Sequence, residues 1–297
     1  MKKILITGAG SYIGTSLEHW LAQYHSEYKV DTLDMQKDTW RVYDFSAYDV
    51  VFHVAGIAHA DVGHATEEQK QLYYAVNTDL AVETAQKAMV AGVKQFLFMS
   101  SMIVYGGCKE KIITAATKPQ PANFYGDSKW QADQRIQELS RNNPTFKTVI
   151  LRPPMIYGKG SKGNYRTLAK LAKKLPIFPD VNNERSMLYI ENLCEFLCQI
   201  MLLKPYHRNS VVLLPQNGEW TKTSDMVKEI AKASGKKITE LKCLAPAVKM
   251  GSKMPGKIGG LVNKAFGNNC YKFEASSYSG LKYQNTTVKQ SVMEINS

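Results

Sequence analysis

The sequence has no run of 18 or more apolar residues, so nothing in it reads as a bilayer-spanning helix. It has no Cys-x-x-Cys pair either. Its five cysteines, Cys108, Cys194, Cys198, Cys243 and Cys270, are an odd, scattered set that argues against a disulfide framework. Cys194 and Cys198 stand one helical turn apart, which leaves a metal pair open. Two small apolar side chains on the inner face of a helix is the preferred reading, because free cysteine is usually buried. His53, His59 and His64 lack an accompanying Cys or carboxylate ligand pattern, so no metal is expected. Repeats and low-complexity tracts are missing. The opening Met1-Lys2-Lys3-Ile4-Leu5-Ile6-Thr7-Gly8 has an apolar stretch of three residues, too short for a secretory segment. A buried first strand and a cytoplasmic location are the expectation.

Acidic residues are scarce in the second half. Residues 1–150 carry 15 Lys+Arg against 16 Asp+Glu, whereas residues 151–297 carry 23 against 10. That half should meet something anionic: a sugar nucleotide's diphosphate, a membrane surface or nucleic acid. No nucleic-acid reading motif accompanies the charge, so nucleic acid is set aside. What is present is otherwise ordinary: 297 residues, 44% hydrophobic and 22% charged, enough for a core domain plus an annex.

Strand-like and helix-like segments alternate at short intervals in the first half. Lys3–Thr7, Lys29–Leu33, Asp49–Val54, Gln95–Ser100 and Thr148–Leu151 read as strands. Helices are expected from Tyr12 to about Tyr24 and around Tyr74–Ala91. This alternation argues for an α/β fold with a parallel sheet covered on both faces. Beyond about residue 152, prolines break the chain into shorter pieces: a helix at Asn192–Leu203, a strand at Ser210–Leu214 and a helix at Ser224–Ala233. Residues 241–264 read as irregular or loosely helical.

The first strand runs into Gly8-Ala9-Gly10-Ser11-Tyr12-Ile13-Gly14 and then a helix, an arrangement suited to a dinucleotide. Glycines permit the tight turn and let backbone N–H groups approach a pyrophosphate at the helix N-terminus. Asp34 follows the second strand, 20 residues after Gly14, where a carboxylate can accept from both ribose hydroxyls. It would repel a 2′-phosphate, so NAD is expected rather than NADP.

With these residues the sequence resembles the extended short-chain dehydrogenase/reductases, specifically the NAD-dependent epimerase/dehydratase family. Thr7, Gly8 and Gly14 match that family's TGxxGxxG loop, while Ser11 replaces its middle glycine and Gly10 comes one position early. A changed loop shape, with the Ser11 backbone N–H still on offer, is expected. The resemblance implies that Asp44-Phe45 contact the adenine, that His53-Val54-Ala55-Gly56 lie beneath the cofactor, and that Asn77 supports the active-site backbone. It implies a Rossmann-type doubly wound sheet over residues 1–152. A smaller α/β substrate-binding domain would occupy mainly 153–297, with some segments returning to the core.

Tyr125-Gly126-Asp127-Ser128-Lys129 is a YxxxK motif, and its spacing puts Tyr125 and Lys129 on one face of a helix. A phenol with a pKa of about 10 is a poor base at neutral pH, so a neighbouring ammonium and a positive nicotinamide are needed to favour the phenolate. Upstream, Ser100-Ser101-Met102-Ile103-Val104-Tyr105-Gly106 resembles the family's SSxxVYG segment, which implies Ser101 as the third catalytic residue, with Ser100 as the neighbouring candidate. The family's dehydratases place Asp-Glu after that hydroxyl. Met102 and Ile103 stand there instead and cannot move protons, so dehydration is not expected.

Leu151-Arg152-Pro153-Pro154 resembles the segment leading to the substrate domain, which implies Pro153 beside the nicotinamide. Gly163-Asn164 and Arg185-Ser186-Met187-Leu188-Tyr189-Ile190 are similar to segments holding a nucleotide diphosphate. Asn164 and Arg185 are therefore the substrate-binding candidates, together with Ser101 and Tyr125. The implied activity is NAD-dependent 4-epimerisation of a UDP-hexose or UDP-N-acetylhexosamine for surface polysaccharide. A 4-ketoreductase of a nucleotide-linked deoxysugar and a non-catalytic NAD-sensing or scaffold protein are the alternatives. A homodimer is implied by resemblance. Lys242, Lys249, Lys253, Lys257 and Lys264, with no acidic residue between 241 and 273, read as a solvated loop or as a peripheral membrane contact.

Overall fold

Buried parallel strands read as unbroken apolar runs, because both of their faces are covered. Ile4–Ile6, Val50–Phe52, Phe96–Phe98 and Val149–Leu151 are such runs, and all twelve side chains are buried. In a computed structural model, which describes residues 1–58, 65–202, 209–278 and 280–296, they lie in β1 (Lys2–Thr7), β3 (Val50–His53), β4 (Gln95–Met99) and β6 (Lys147–Leu151). β2 (Tyr28–Leu33) and β10 (Ser210–Leu213) complete a six-stranded sheet. Its order is β10-β6-β4-β3-β1-β2, parallel throughout. The chain leaves β1 for β2 on one side and returns to β3 on the other. The β1/β3 boundary is thus the switch point, and a ligand crevice opens at its C-terminal ends.

Helices cover both faces. α1 (Tyr12–Leu21) and α6 (Ile190–Leu202) pack on one side, where Leu17, Leu21, Leu193 and Leu197 share a core with Ile4 and Ile6. α3 (Leu80–Val90) and α4 (Phe124–Arg141) cover the other, with Ala81, Ala85, Ala132 and Ile136 against Leu5, Val51, Phe96 and Ile150. Cys194 and Cys198 lie buried on α6, where the Cys198 Sγ is 3.3 Å from the Tyr28 hydroxyl.

The remaining strands make pairs: β5 (Ile112–Ile113) with β12 (Cys270–Tyr271), β7 (Met155–Tyr157) with β9 (Met187–Tyr189), and β8 (Ile177–Pro179) with β11 (Thr239–Leu241). α5 (Asn164–Lys174), α7 (Thr223–Ala233) and α10 (Val288–Asn296) pack together beside them.

Two stretches differ from the sequence expectation. The helix placed around Tyr74–Ala91 begins at Glu67: α2 (Glu67–Tyr74) runs through a π turn, Ala75–Asp79, into α3. Its start is set by a capping box, in which the Thr66 Oγ1 accepts from the Gln69 N–H and the Gln69 side chain accepts from the Thr66 N–H. Residues 241–264 are not irregular but form α8 (Ala245–Gly251) and most of α9 (Gly256–Phe266).

His53 is wholly buried at the end of β3, its ring stacked near Phe96 and Phe98 at 6.1 and 6.0 Å. Its Nδ1 lies 2.8 Å from the Thr7 Oγ1, and its Nε2 has no hydrogen-bond partner among the described residues. Burial, and then the charge of Lys129, pull its pKa from 6.5 to about 3, so the ring is neutral at pH 7. The folded value lies below the unfolded one. The contribution to stability is therefore complete above pH 6.5 and is lost as the pH falls towards 3, over which span the unfolded chain binds the extra proton. Urea titrations should show the unfolding free energy falling over this span, with His53→Asn removing about 3–5 kcal/mol of the fall.

Candidate functional site

The crevice floor is a loop that only glycine can form at two positions. Gly8 has φ +113°, and a Cβ there would stand 2.7 Å from the Ala55 nitrogen. Gly10 has φ +72°, with no heavy atom beyond its chain neighbours within 4 Å of where a Cβ would stand, so the backbone there is open to a pyrophosphate. The Gly8 and Ala9 N–H groups donate to the Leu33 carbonyl at 2.9 and 3.1 Å, which ties the loop to the strand end preceding Asp34. Across the switch point, the Val54 and Ala55 N–H groups both donate to the Thr7 carbonyl at 3.0 Å.

Ser11 acts differently from the expectation. Its N–H donates to the Gly8 carbonyl at 3.2 Å, inside the turn, and its Oγ accepts the Gly14 N–H at 3.2 Å as the N-cap of α1. Ser11→Ala should lower the unfolding free energy by about 1 kcal/mol, measurable by urea denaturation, by exposing that amide. Tyr12 and Ile13 form the first helical turn, half-buried. Tyr12 reaches Gly158, whose Cβ, if present, would stand 2.6 Å from the phenol oxygen.

Asp34 is exposed, and its Oδ1 accepts from the Gln36 N–H at 3.0 Å. Both oxygens of Asp44 accept from Ser46, at 2.8 and 2.9 Å, which holds its carboxyl below the usual range. Phe45 is buried in the core, so an adenine contact there falls to its backbone rather than its ring. Glycines that admit close backbone approach, a helix N-terminus and an exposed carboxylate after β2 together fit NAD.

Opposite the loop, Ser101 ends the stretch after β4. Its Oγ accepts the Ile103 N–H at 3.2 Å, and the hydroxyl stands close enough to the Tyr125 phenol to lower its pKa. Tyr125 sits in the first turn of α4, a helix capped by Asn123, whose Oδ1 accepts the Gly126 N–H at 2.9 Å. The Tyr125 ring meets Tyr73 edge-on at 5.7 Å. Burial pushes the phenol up to about 12, and only Ser101 opposes it. The lowering expected from Lys129 does not figure in the protein alone. The Lys129 ammonium turns instead to the Met99 carbonyl at 3.1 Å, above the Phe98 ring at 5.0 Å. Burial lowers the lysine to about 8, while Asp133 raises it.

Gly56 makes room for this lysine, since a Cβ there would stand 2.9 Å from its Nζ and 3.0 Å from the Asn77 Oδ1. Asn77, in the π turn, accepts the Ile57 N–H at 2.9 Å and donates to the Ile57 carbonyl at 3.0 Å, pinning the chain after β3. Pro153 is held close, its carbonyl accepting the Met102 N–H at 2.9 Å.

Ser100, the neighbouring candidate, is buried and turned towards Asp133, whose carboxyl it helps to keep ionised. Asp133 and Arg152 form a buried ion pair that the sequence reading missed. The Arg152 Nε is 2.7 Å from the Asp133 Oδ2, and an Nη donates to the Tyr105 hydroxyl at 2.6 Å. The Tyr271 hydroxyl donates to the Arg152 carbonyl at 2.6 Å. A signal existed: Asp133 lies four residues after Lys129, on the same helical face.

In the second half, Asn164 opens α5 after Gly163, whose φ is +85°. Arg185 is only partly available to a diphosphate. One of its nitrogens donates to the Lys264 and Gly267 carbonyls, at 2.7 and 3.3 Å, closing the end of α9. His59 and His64 lie outside the described residues. Among the described residues no group of three or more His, Cys, Asp or Glu side chains could hold a metal, and no helix is long and apolar enough to cross a membrane.

A doubly wound parallel sheet with a glycine turn at its switch point, and Ser101 beside Tyr125 after the end of β4, are features of a short-chain, dinucleotide-dependent enzyme. The chain belongs to the NAD-dependent epimerase/dehydratase family, whose profile matches residues 4–209, and it uses NAD. It is 31% identical to a UDP-glucose 4-epimerase from Vibrio cholerae over 279 residues, 86% of this chain and 83% of that protein. An N-acetyl-alpha-D-glucosaminyl-diphospho-ditrans,octacis-undecaprenol 4-epimerase from Escherichia coli O157:H7 is 29% identical over 65% of this chain and 61% of its own length. In fold, the chain is similar to a UDP-glucuronic acid 4-epimerase from Bacillus cereus solved with NAD. The TM-score is 0.71 at 19% identity, over 99% of this chain and 98% of that one.

Proposed function

We propose that this enzyme is a 4-epimerase of a nucleotide-activated hexose, a UDP-hexose or UDP-N-acetylhexosamine, serving surface polysaccharide synthesis. Residues 1–152 would hold NAD and the reacting groups, and residues 153–297 mainly the sugar nucleotide. The observation that carries the reading is the Tyr125 phenol beside the Ser101 hydroxyl, one helical turn from buried Lys129. Bound NAD would accept a hydride from C4 of the sugar and return it. Tyr125 takes the O4 proton, Ser101 donates a hydrogen bond to O4, and Lys129 holds the ribose and supplies positive charge near the phenol. Were the hydride returned to the opposite face of the 4-keto sugar, Tyr125 would give its proton back to O4 and C4 would be inverted.

Two features support epimerisation over dehydration and over net reduction. Met102 is buried and Ile103 is apolar, so neither can serve as the acid or base that water loss requires. Asp34 suits NAD, which is regenerated in each cycle, and both relatives compared above are named 4-epimerases. The reading extends to a homodimer, checked by sedimentation velocity.

The test is to give the NAD-loaded protein UDP-glucose, UDP-galactose and their N-acetylated counterparts without reductant, and to follow products by NMR. Interconversion of one pair at C4 is expected. Stoichiometric NADH consumption on 4-keto sugars, with no interconversion, would replace this reading with a 4-ketoreductase.

A further inference from the structure

We infer that the α8–α9 hairpin docks on the surface of an anionic lipid bilayer. The hairpin has a built shape. The chain turns at Gly256, with φ +75°, and Gly259 passes so close to the Met254 carbonyl that a Cβ would overlap it. Asn263 donates to the Ser252 carbonyl at 2.8 Å, and Gly251 lets Val262 of α9 close against α8. Its root is fixed, with Phe266 against Phe178 at 5.6 Å and Arg185 closing the end of α9.

What this framework presents outward is an unusual mixture. Met250 is 74% exposed and Leu261 66%, with Met254 also exposed, and these apolar side chains stand among exposed Lys242, Lys249, Lys253 and Lys264. No acidic residue lies between 241 and 273. The flanking acids do not neutralise the patch either, because Glu240 pairs with Lys228 at 2.6 Å and Glu274 with Lys272 at 3.8 Å.

Charge complementarity selects the occupant. A second copy presenting the same patch would be repelled. A nucleic acid would leave Met250, Met254 and Leu261 in water. An interface of anionic headgroups over acyl chains accepts both kinds of side chain at once. Since Arg185 closes α9, the docked face adjoins the residue proposed for the diphosphate. The inference does not depend on which sugar is turned over.

The full chain with NAD is sedimented with phosphatidylcholine vesicles and with vesicles also containing phosphatidylglycerol. Binding is expected only to the anionic vesicles and should weaken with added salt. Lys249→Glu/Lys253→Glu should reduce it by about tenfold or more at an unchanged melting temperature. Met250→Ser/Met254→Ser should remove the part that resists salt. Absent or salt-insensitive binding, or binding that both double variants retain, overturns the inference. So does self-association in sedimentation velocity that Leu261→Ser abolishes, which would assign the face to a second copy.

Discussion

Tyr125→Phe is expected to lower turnover of the sugar nucleotide by about a thousandfold while leaving NAD content and melting temperature unchanged. The substitution deletes one oxygen. The ring keeps its edge contact with Tyr73, and Ser101 keeps the Ile103 N–H, so the site's shape persists. The loss is chemical, because the substitution removes the group proposed to take the proton and nothing else. In the protein alone burial sets the phenol at about 12. The ionised form is therefore scarce at neutral pH, and it grows tenfold per unit as the pH rises. Turnover of the native enzyme should climb through the alkaline range until the phenol of the loaded enzyme titrates. That midpoint lies below 12, because positive charge in the occupied site favours the phenolate. The residual rate of Tyr125→Phe should show no such climb. Steady-state kinetics across pH, with bound NAD quantified after denaturation, decide the matter. A variant retaining more than about a tenth of native turnover would show that the phenol is not the base.

Much of this architecture is legible in the sequence, and the boundary of legibility has physical causes. The central strands are readable because a strand buried on both faces must be apolar at every position, as Ile4–Ile6 and Phe96–Phe98 are. The start of α2 escapes a search for apolar periodicity because Glu67, Glu68, Gln69 and Lys70 face solvent or the helix edge. The only signal there is the Thr66–Gln69 box. α8 and α9 escape it because their glycines and lysines have low local preference for order, and contacts with Phe178 and Arg185 anchor them. The family resemblance of 185–190, with an arginine's suitability for phosphate, pointed to Arg185, yet which of its nitrogens are engaged depends on a helix end 79 residues away. Ser100 and Ser101 are chemically identical neighbours. Alternation along an extended chain turns one towards Asp133 and the other towards Tyr125, a distinction only the fold makes visible.

Arg152→Met should lower the unfolding free energy at neutral pH by about 3–5 kcal/mol, a large share of what a domain has. The guanidinium is buried, with Asp133 at 2.7 Å and the Tyr105 hydroxyl at 2.6 Å, and it stacks over Trp130 at 5.2 Å. Removing it strips a fully buried carboxylate of its charge partner. Burial already raises the pKa of Asp133, and Arg152 is the largest influence opposing it. In the variant, Asp133 would titrate still higher when folded than when unfolded. A group with a raised folded pKa costs stability above that value, and the cost fades as the pH falls towards the unfolded one. The deficit should therefore shrink in mildly acidic buffer. Asp133→Leu in the same chain removes the stranded charge and should restore most of the lost stability, because a buried pair replaced by apolar groups is often near neutral. Turnover should not return with it. Asp133 favours the charged form of Lys129 against a burial that already lowers it to about 8, so the doubly substituted enzyme would carry a lysine neutral at lower pH. Its turnover should therefore lag further behind native as the pH rises, while its urea midpoint stays close to native. If stability and turnover recovered together, the buried pair would be a structural filler with no influence on the reacting groups.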